Sequence, residues 1–247
     1  MPTLHLDADL HYDDIGEGPP IVFLHGVTST GALEWRGLVG TLADDYRCIT
    51  LDLRGHGQSE LGTAPLTIAT LVDDFNALGA ELEVKRPHLV GFSIGSHTVL
   101  RAALARPEAP ASLTLLGFST GRPPEVAKPD TPIEPPDDWP VALRRAQQHK
   151  GEDYWRTLYS SLATDLMSEQ EVGAAALAAL TCPVLIVNGA DEPKFKHRQS
   201  GDLVAAVAGA RVETIDNAGH PVHQEQAHIV NRLVLDFINT AEAEVTQ

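Results

Sequence analysis

The stretch His88-Leu89-Val90-Gly91-Phe92-Ser93-Ile94-Gly95 decides the fold of this chain. Its first three residues form a short apolar run suited to a buried strand. A helical stretch over 93–105 follows at once, with Pro107 as its stop. A strand that becomes a helix in so few residues must strain the backbone at Ser93. Gly91 and Gly95 then stand where a side chain would collide with neighbouring backbone. The segment fits the pattern G-x-S-x-G, a turn that lifts a serine hydroxyl to the end of a sheet. The new helix aims its free amides and the positive end of its dipole at the same place.

Short apolar runs alternate with amphipathic stretches on both sides, the mark of an α/β chain with a mostly parallel sheet. Strands are expected in 3–12, at Ile21-Val22-Phe23-Leu24, in 47–51, at Leu113-Thr114-Leu115-Leu116, at Pro183-Val184-Leu185-Ile186-Val187 and in 211–215. Helices are expected in 35–42, 67–81, 200–207 and 222–238, with a frayed tail over 240–247. Ile68, Leu71, Val72, Phe75 and Leu78 give the second of these a helical apolar face. The alternation breaks after Ser119. Residues 121–140 are rich in proline and acidic residues and read as loop. Residues 141–180 read as helices with no strand between them, so 121–180 is expected to form a small helical cap on a core made of 1–120 and 181–247.

Composition narrows the function. The 247 residues are 43% hydrophobic and 21% charged, enough for one large domain with a sizeable core. Lys and Arg total 18 against 34 Asp and Glu, a formal net charge of −16. Such a surface repels phosphate backbones and anionic lipid, which disfavours nucleic acid and membrane as partners. Cys48 and Cys182 are too few for a disulfide framework and lack metal-ligand spacing. Each precedes an apolar run, so both are expected to be buried. Neither a leader peptide nor an apolar run of bilayer length is evident, so a cytoplasmic protein, monomer or homodimer, is expected. Nucleotide-binding patterns of the G-x-x-x-x-G-K-[ST] and G-x-G-x-x-G kinds are missing.

A serine hydroxyl needs a base before it can act as a nucleophile. Ala218-Gly219-His220, between the last strand and the last helix, offers one. Asn188-Gly189-Ala190-Asp191 follows another strand and offers an acid to fix the imidazole tautomer. Ser93, Asp191 and His220 all fall at carboxyl ends of expected parallel strands, where open α/β sheets place their sites. Two backbone donors for an oxyanion are expected from Ile94 and, in the loop Leu24-His25-Gly26-Val27, from Val27.

With these motifs in place the chain resembles the α/β-hydrolase superfamily, in its short-cap members. The likeness rests on Leu24-His25-Gly26, Asp52-Leu53-Arg54-Gly55-His56-Gly57-Gln58-Ser59, Gly91-Phe92-Ser93-Ile94-Gly95, Asn188-Gly189-Ala190-Asp191 and Ala218-Gly219-His220, and covers nearly the whole chain. It implies an α/β-hydrolase fold: a mostly parallel eight-stranded sheet flanked by helices, with the cap after the sixth strand. Ser96 and His97 depart from relatives that carry another glycine after the elbow.

Other residues compete for roles. Glu192 is the rival acid and His223 the rival base. His220 with His223 could be weighed as metal ligands, but a third ligand is missing from the pattern, and neither metal nor cofactor is expected. His25 and His56 read as structural, and His97 as packed. Trp139, Trp155 and Tyr159 either line a pocket or hold the cap together. The expected reaction is hydrolysis of a small acyl substrate, a carboxylic ester or lactone, through an acyl-enzyme. The same motifs also serve relatives that cleave carbon–carbon bonds, act as perhydrolases or lyases, or bind a small molecule and signal.

Overall fold

The computed structural model describes residues 2–135 and 141–245. Eight strands form one sheet in the order β1-β2-β4-β3-β5-β6-β7-β8. They are β1 (Thr3–His5), β2 (Asp9–Ile15), β3 (Pro20–Leu24), β4 (Arg47–Leu51), β5 (His88–Phe92), β6 (Ser112–Leu116), β7 (Val184–Gly189) and β8 (Ala210–Ile215). Strands β1 and β2 pair antiparallel, β2 lies antiparallel to β4, and every pairing from β4 to β8 is parallel. Strand order reverses between β3 and β5, where Leu24 faces Gly91. A crevice opens at such a switch point, beyond the carboxyl ends of the strands. The loops carrying Val27 and Ser93 both begin there.

The strands are apolar because helices cover both faces. On one face Trp35, Leu38 and Leu42 of α1 (Gly31–Leu42) and Val230, Val234 and Phe237 of α9 (Ala227–Val245) pack against the sheet. The other face is covered by α2 (Ile68–Glu81), α3 (Ile94–Ala105) and α7 (Lys194–Ala206). Thr30 and Thr67 cap α1 and α2, accepting from the amides of Leu33 and Thr70 at 3.2 Å each. Cys48 and Cys182 are buried and unpaired, as expected, and burial pushes their thiols up to about 12 and about 11.

Between β6 and β7 the chain forms α4 (Val141–Ala146), a 3₁₀ turn, α5 (Tyr154–Ser168) and α6 (Ala174–Leu177). Side chains tie this stretch to the rest. Buried Gln147 accepts from the Gly57 amide at 2.8 Å and donates to Ser29 O at 3.0 Å. The Tyr154 hydroxyl donates to Gly55 O at 3.0 Å, and Lys150 donates to Ser59 O at 2.6 Å. Trp155 is buried beneath Arg156, whose guanidinium lies 4.6 Å from the ring centre, and it also borders a cavity of about 210 Å³ with Arg144 and Gln148. Trp139 lies outside the described residues.

Several boundaries differ from expectation, among them α1, which begins at Gly31, four residues early, and β2, which runs on to Ile15. Helix α7 begins at Lys194, six residues early, behind Pro193, whose fixed φ suits a helix start. The last helical stretch is two pieces, α8 (Val222–Glu225) and α9, broken at Gln226. The expected frayed tail is helical to Val245. Among the described residues no helix is long and apolar enough to cross a membrane.

Candidate active site

The elbow is built as its glycines require. Ser93 has φ 52° and ψ −115°, an uncommon conformation for a residue with a side chain. Such strain costs of order 1–3 kcal/mol and persists only where packing imposes it. A Cβ on Gly91 would lie 2.5 Å from the Gly95 carbonyl carbon, and one on Gly95 would overlap the Leu24 carbonyl. Helix α3 therefore sits directly on β3 and β5. Behind the turn, the Ser96 hydroxyl lies 2.7 Å from Gly91 O and 2.8 Å from Leu116 O. The residue that departs from glycine thus pins the elbow to β5 and β6.

His220, in the loop between β8 and α8, places Nε2 2.9 Å from Ser93 Oγ. Its ring packs on Phe92, with centroids 5.0 Å apart. Gly117, with φ 55°, makes room for that ring, because a Cβ there would lie 2.9 Å from His220 Cε1 and Nδ1. Sequence reasoning missed Gly117; its place just after a strand was the available signal.

The acid in contact with the imidazole is Glu192, where Asp191 was expected. Glu192 Oε1 lies 2.6 Å from His220 Nδ1, and its side chain is fully buried. The turn after β7 sets this outcome. Asp191 N donates to Ala218 O at 3.0 Å and Glu192 N donates to Gly189 O at 3.2 Å. With the backbone held so, the Asp191 side chain is exposed and Glu192 turns inward. Burial acts to raise the Glu192 pKa, but the contacts with His220 and Lys196 outweigh it and hold the carboxyl below its ordinary range. For His220 burial is the largest influence and the net shift is downward, so the ring is kept neutral and able to accept a proton.

The rival base is engaged elsewhere. His223 Nε2 lies 2.7 Å from Oε1 of the buried Glu34, which also accepts from Gln224 at 2.5 Å. The other Glu34 oxygen accepts from the Gly26 amide at 3.3 Å. Glu34 thereby fastens the Val27 loop to α8. His220 and His223 serve different carboxylates, which does not fit a shared metal. His25 lies 2.7 Å from Gly26 O through Nδ1 and accepts from the Leu53 amide at 2.9 Å, so it shapes the loop. His56 lies 2.6 Å from Val27 O. His97 Nε2 lies 2.9 Å from Ser119 Oγ. Burial lowers these three imidazoles to about 4, about 3 and about 3.

A cavity of about 110 Å³ adjoins Ser93 and His220, lined also by His97, Arg122, Leu166 and Lys196. A larger one of about 500 Å³ opens at the other end of the strands, beside Pro87, Phe75 and Leu89, away from Ser93.

The sequence matches the Alpha/beta hydrolase family model over residues 21–233. It is 30% identical over 270 residues to a 2-hydroxy-6-oxononadienedioate/2-hydroxy-6-oxononatrienedioate hydrolase of Pseudomonas putida, covering 94% of this chain and 92% of that protein. A pimeloyl-acyl-carrier-protein methyl ester esterase of Methylococcus capsulatus is 41% identical over 125 residues, 50% of this chain and 45% of that protein. The enol-lactonase of Burkholderia xenovorans LB400 superposes with a TM-score of 0.75 at 24% identity, over 96% of this chain and 100% of that one.

Proposed function

Because the chain belongs to the alpha/beta hydrolase family, we propose that it hydrolyses a carboxylic ester or lactone through an acyl-enzyme on Ser93. The observation that carries the reading is the continuous contact from Ser93 Oγ to His220 Nε2 at 2.9 Å and from Nδ1 to Glu192 Oε1 at 2.6 Å. His220 takes the hydroxyl proton as Ser93 attacks the carbonyl carbon. Glu192 fixes the tautomer with hydrogen on Nδ1 and steadies the imidazolium. The amides of Val27 and Ile94 receive the oxyanion, each donor supplying about 3–4 kcal/mol of transition-state stabilisation. The imidazolium then protonates the leaving oxygen, and water attacks the acyl-enzyme with the same histidine as base.

The cavity beside Ser93 supports a short acyl group with an anionic end. Its lining carries the cations Arg122 and Lys196 and no carboxylate; Lys196 is paired with Glu192 at 2.9 Å, which leaves Arg122 as the cation for such a group. Arg122 donates to Val126 O at 2.5 Å, its Nε is enclosed without a partner, and it has no ion pair among the described residues. A buried Gln199 fixes its backbone approach, accepting from Thr120 N at 3.0 Å and donating to Gly121 O at 2.9 Å.

A kinetic comparison of phenyl butyrate with the monophenyl ester of adipic acid tests both points. The acid ester should be preferred, and Arg122→Met should remove that preference while neutral-ester turnover persists. Ser93→Ala should lose at least about 10⁴-fold in kcat with the fold intact. Full activity in that variant would end the proposal. Hydrolysis of a carbon–carbon bond is the second reading, supported by the Pseudomonas putida relative. A vinylogous diketone in the same assay separates it, since only that reading predicts turnover.

A further inference from the structure

Lys196 lies in the first turn of α7, one helical turn beyond Glu192, with its side chain 14% exposed. Its Nζ is 2.9 Å from Glu192 Oε1, 3.0 Å from His220 Nδ1 and 3.3 Å from Gly117 O. The carboxylate and the carbonyl accept from the ammonium. The imidazole does not. At 2.6 Å from a carboxylate oxygen, Nδ1 must carry its hydrogen and has no lone pair to offer. The ammonium therefore touches the ring as a charge and not as a hydrogen-bond donor. Glu192 Oε2 is enclosed with no donor, so imidazole and ammonium share the one oxygen that Glu192 brings to the site.

We propose that Lys196 is a positioning residue that fixes Glu192 and extends to lower pH the range in which His220 acts as a base. This rests on reading Ser93, His220 and Glu192 as a triad. Two effects of the ammonium act in one direction. It repels the proton that would make the imidazolium, and it neutralises part of the carboxylate charge that would attract that proton. The same balance follows from the environment of His220, where burial and Lys196 lower the pKa and Glu192 raises it.

The other charged or titratable groups near the ring are His97 from α3 and His223 from α8, with Glu34 of α1 bonded to His223. Glu225 of α8 accepts from the Gly219 amide at 2.6 Å. His97 is held neutral, and Glu34 spends its charge on His223 and Gln224. Lys196 is thus the cation in direct contact with the ring.

The test is the pH profile of kcat/KM between pH 5.5 and 9 for a neutral ester, phenyl acetate, with wild type, Lys196→Met and Lys196→Arg. A neutral substrate removes any attraction between Lys196 and an anionic acyl group. The acidic limb should move up by about one pH unit in Lys196→Met, a roughly tenfold loss of kcat/KM on that limb relative to the variant's own alkaline plateau, whatever the height of that plateau. Lys196→Arg should restore the wild-type limb. The His220 Cε1 carbon resonance should show the same displacement in its titration without substrate. An unmoved midpoint in Lys196→Met, by activity or by resonance, would overturn the proposal. Equal displacement in both variants would overturn it too, because packing rather than charge would then be responsible. If no ester is turned over but the resonance midpoint moves as stated, the proposed function fails and the role of Lys196 stands.

Discussion

Glu192 and Asp191 are adjacent carboxylates on one turn, but it is Glu192 that touches His220, at 2.6 Å, and that is proposed to steady the imidazolium. Glu192→Gln should lower kcat by about 10⁴-fold, the cost of losing the correct imidazole tautomer. Asp191→Asn should stay within about threefold of wild type, as expected for an exposed side chain that leaves the contact untouched. Steady-state kinetics of the two variants decide the assignment, and the reverse ranking would return the role to Asp191. The ambiguity had a physical cause. Sequence places a carboxylate at the end of β7 but not the angle at which the turn delivers it. That angle depends on Asp191 N reaching Ala218 O, a contact across two strand ends. Ser93 and His220 were readable because glycines mark the elbow and the loop that carry them. Lys196 was hidden, since a lysine at the start of a helix ordinarily points to solvent.

The elbow shows how far one element constrains another. Ser96 spends its hydroxyl on Gly91 O and Leu116 O, both buried against α3. Both carbonyls lose that side-chain partner when Ser96 is truncated, but Leu116 O keeps the Ser93 amide as a donor at 3.0 Å. Ser96→Ala should destabilise by about 1–2 kcal/mol, lowering Tm by roughly 2–8 °C, with little change in kcat. Gly117→Ala acts differently. Its Cβ would enter the space of the His220 ring at a φ of 55°, so activity should fall more steeply than stability. Calorimetry beside kinetics on the pair separates the effects, and equal losses of Tm and kcat in Gly117→Ala would refute its role as a spacer for the ring. The strands and helices α1 to α3 were legible because each is a single apolar run or stripe. Helix α7 was legible only from residue 200, since Lys194, Lys196 and Arg198 mask its first turns.

At the scale of the whole molecule, the order of strands brings distant chemistry together. The reversal between β3 and β5 sets the Val27 loop beside the elbow, while β6, β7 and β8 add Gly117, Glu192 and His220 from the same side. That convergence was readable from the alternation of strands and helices, but the neutral histidines buried to hold it were not. His25, His56 and His97 have their imidazoles lowered by burial to about 4, about 3 and about 3. In the unfolded chain each titrates near the ordinary value of about 6.5. Below that value the unfolded state binds protons that the folded state refuses, so stability is present above it and is lost as pH falls toward the folded values. From pH 6.5 to 5 each imidazole should remove about 1.5 kcal/mol, roughly 4.5 kcal/mol together, a large part of a typical stability of about 5–15 kcal/mol. Urea unfolding followed by circular dichroism at pH 7, 6 and 5 measures the slope. A loss below about 1 kcal/mol over that range would show that the three rings take up protons in the folded state. His25→Asn should flatten the slope by the share of one imidazole, about 1.5 kcal/mol between pH 6.5 and 5, whatever its cost at pH 7.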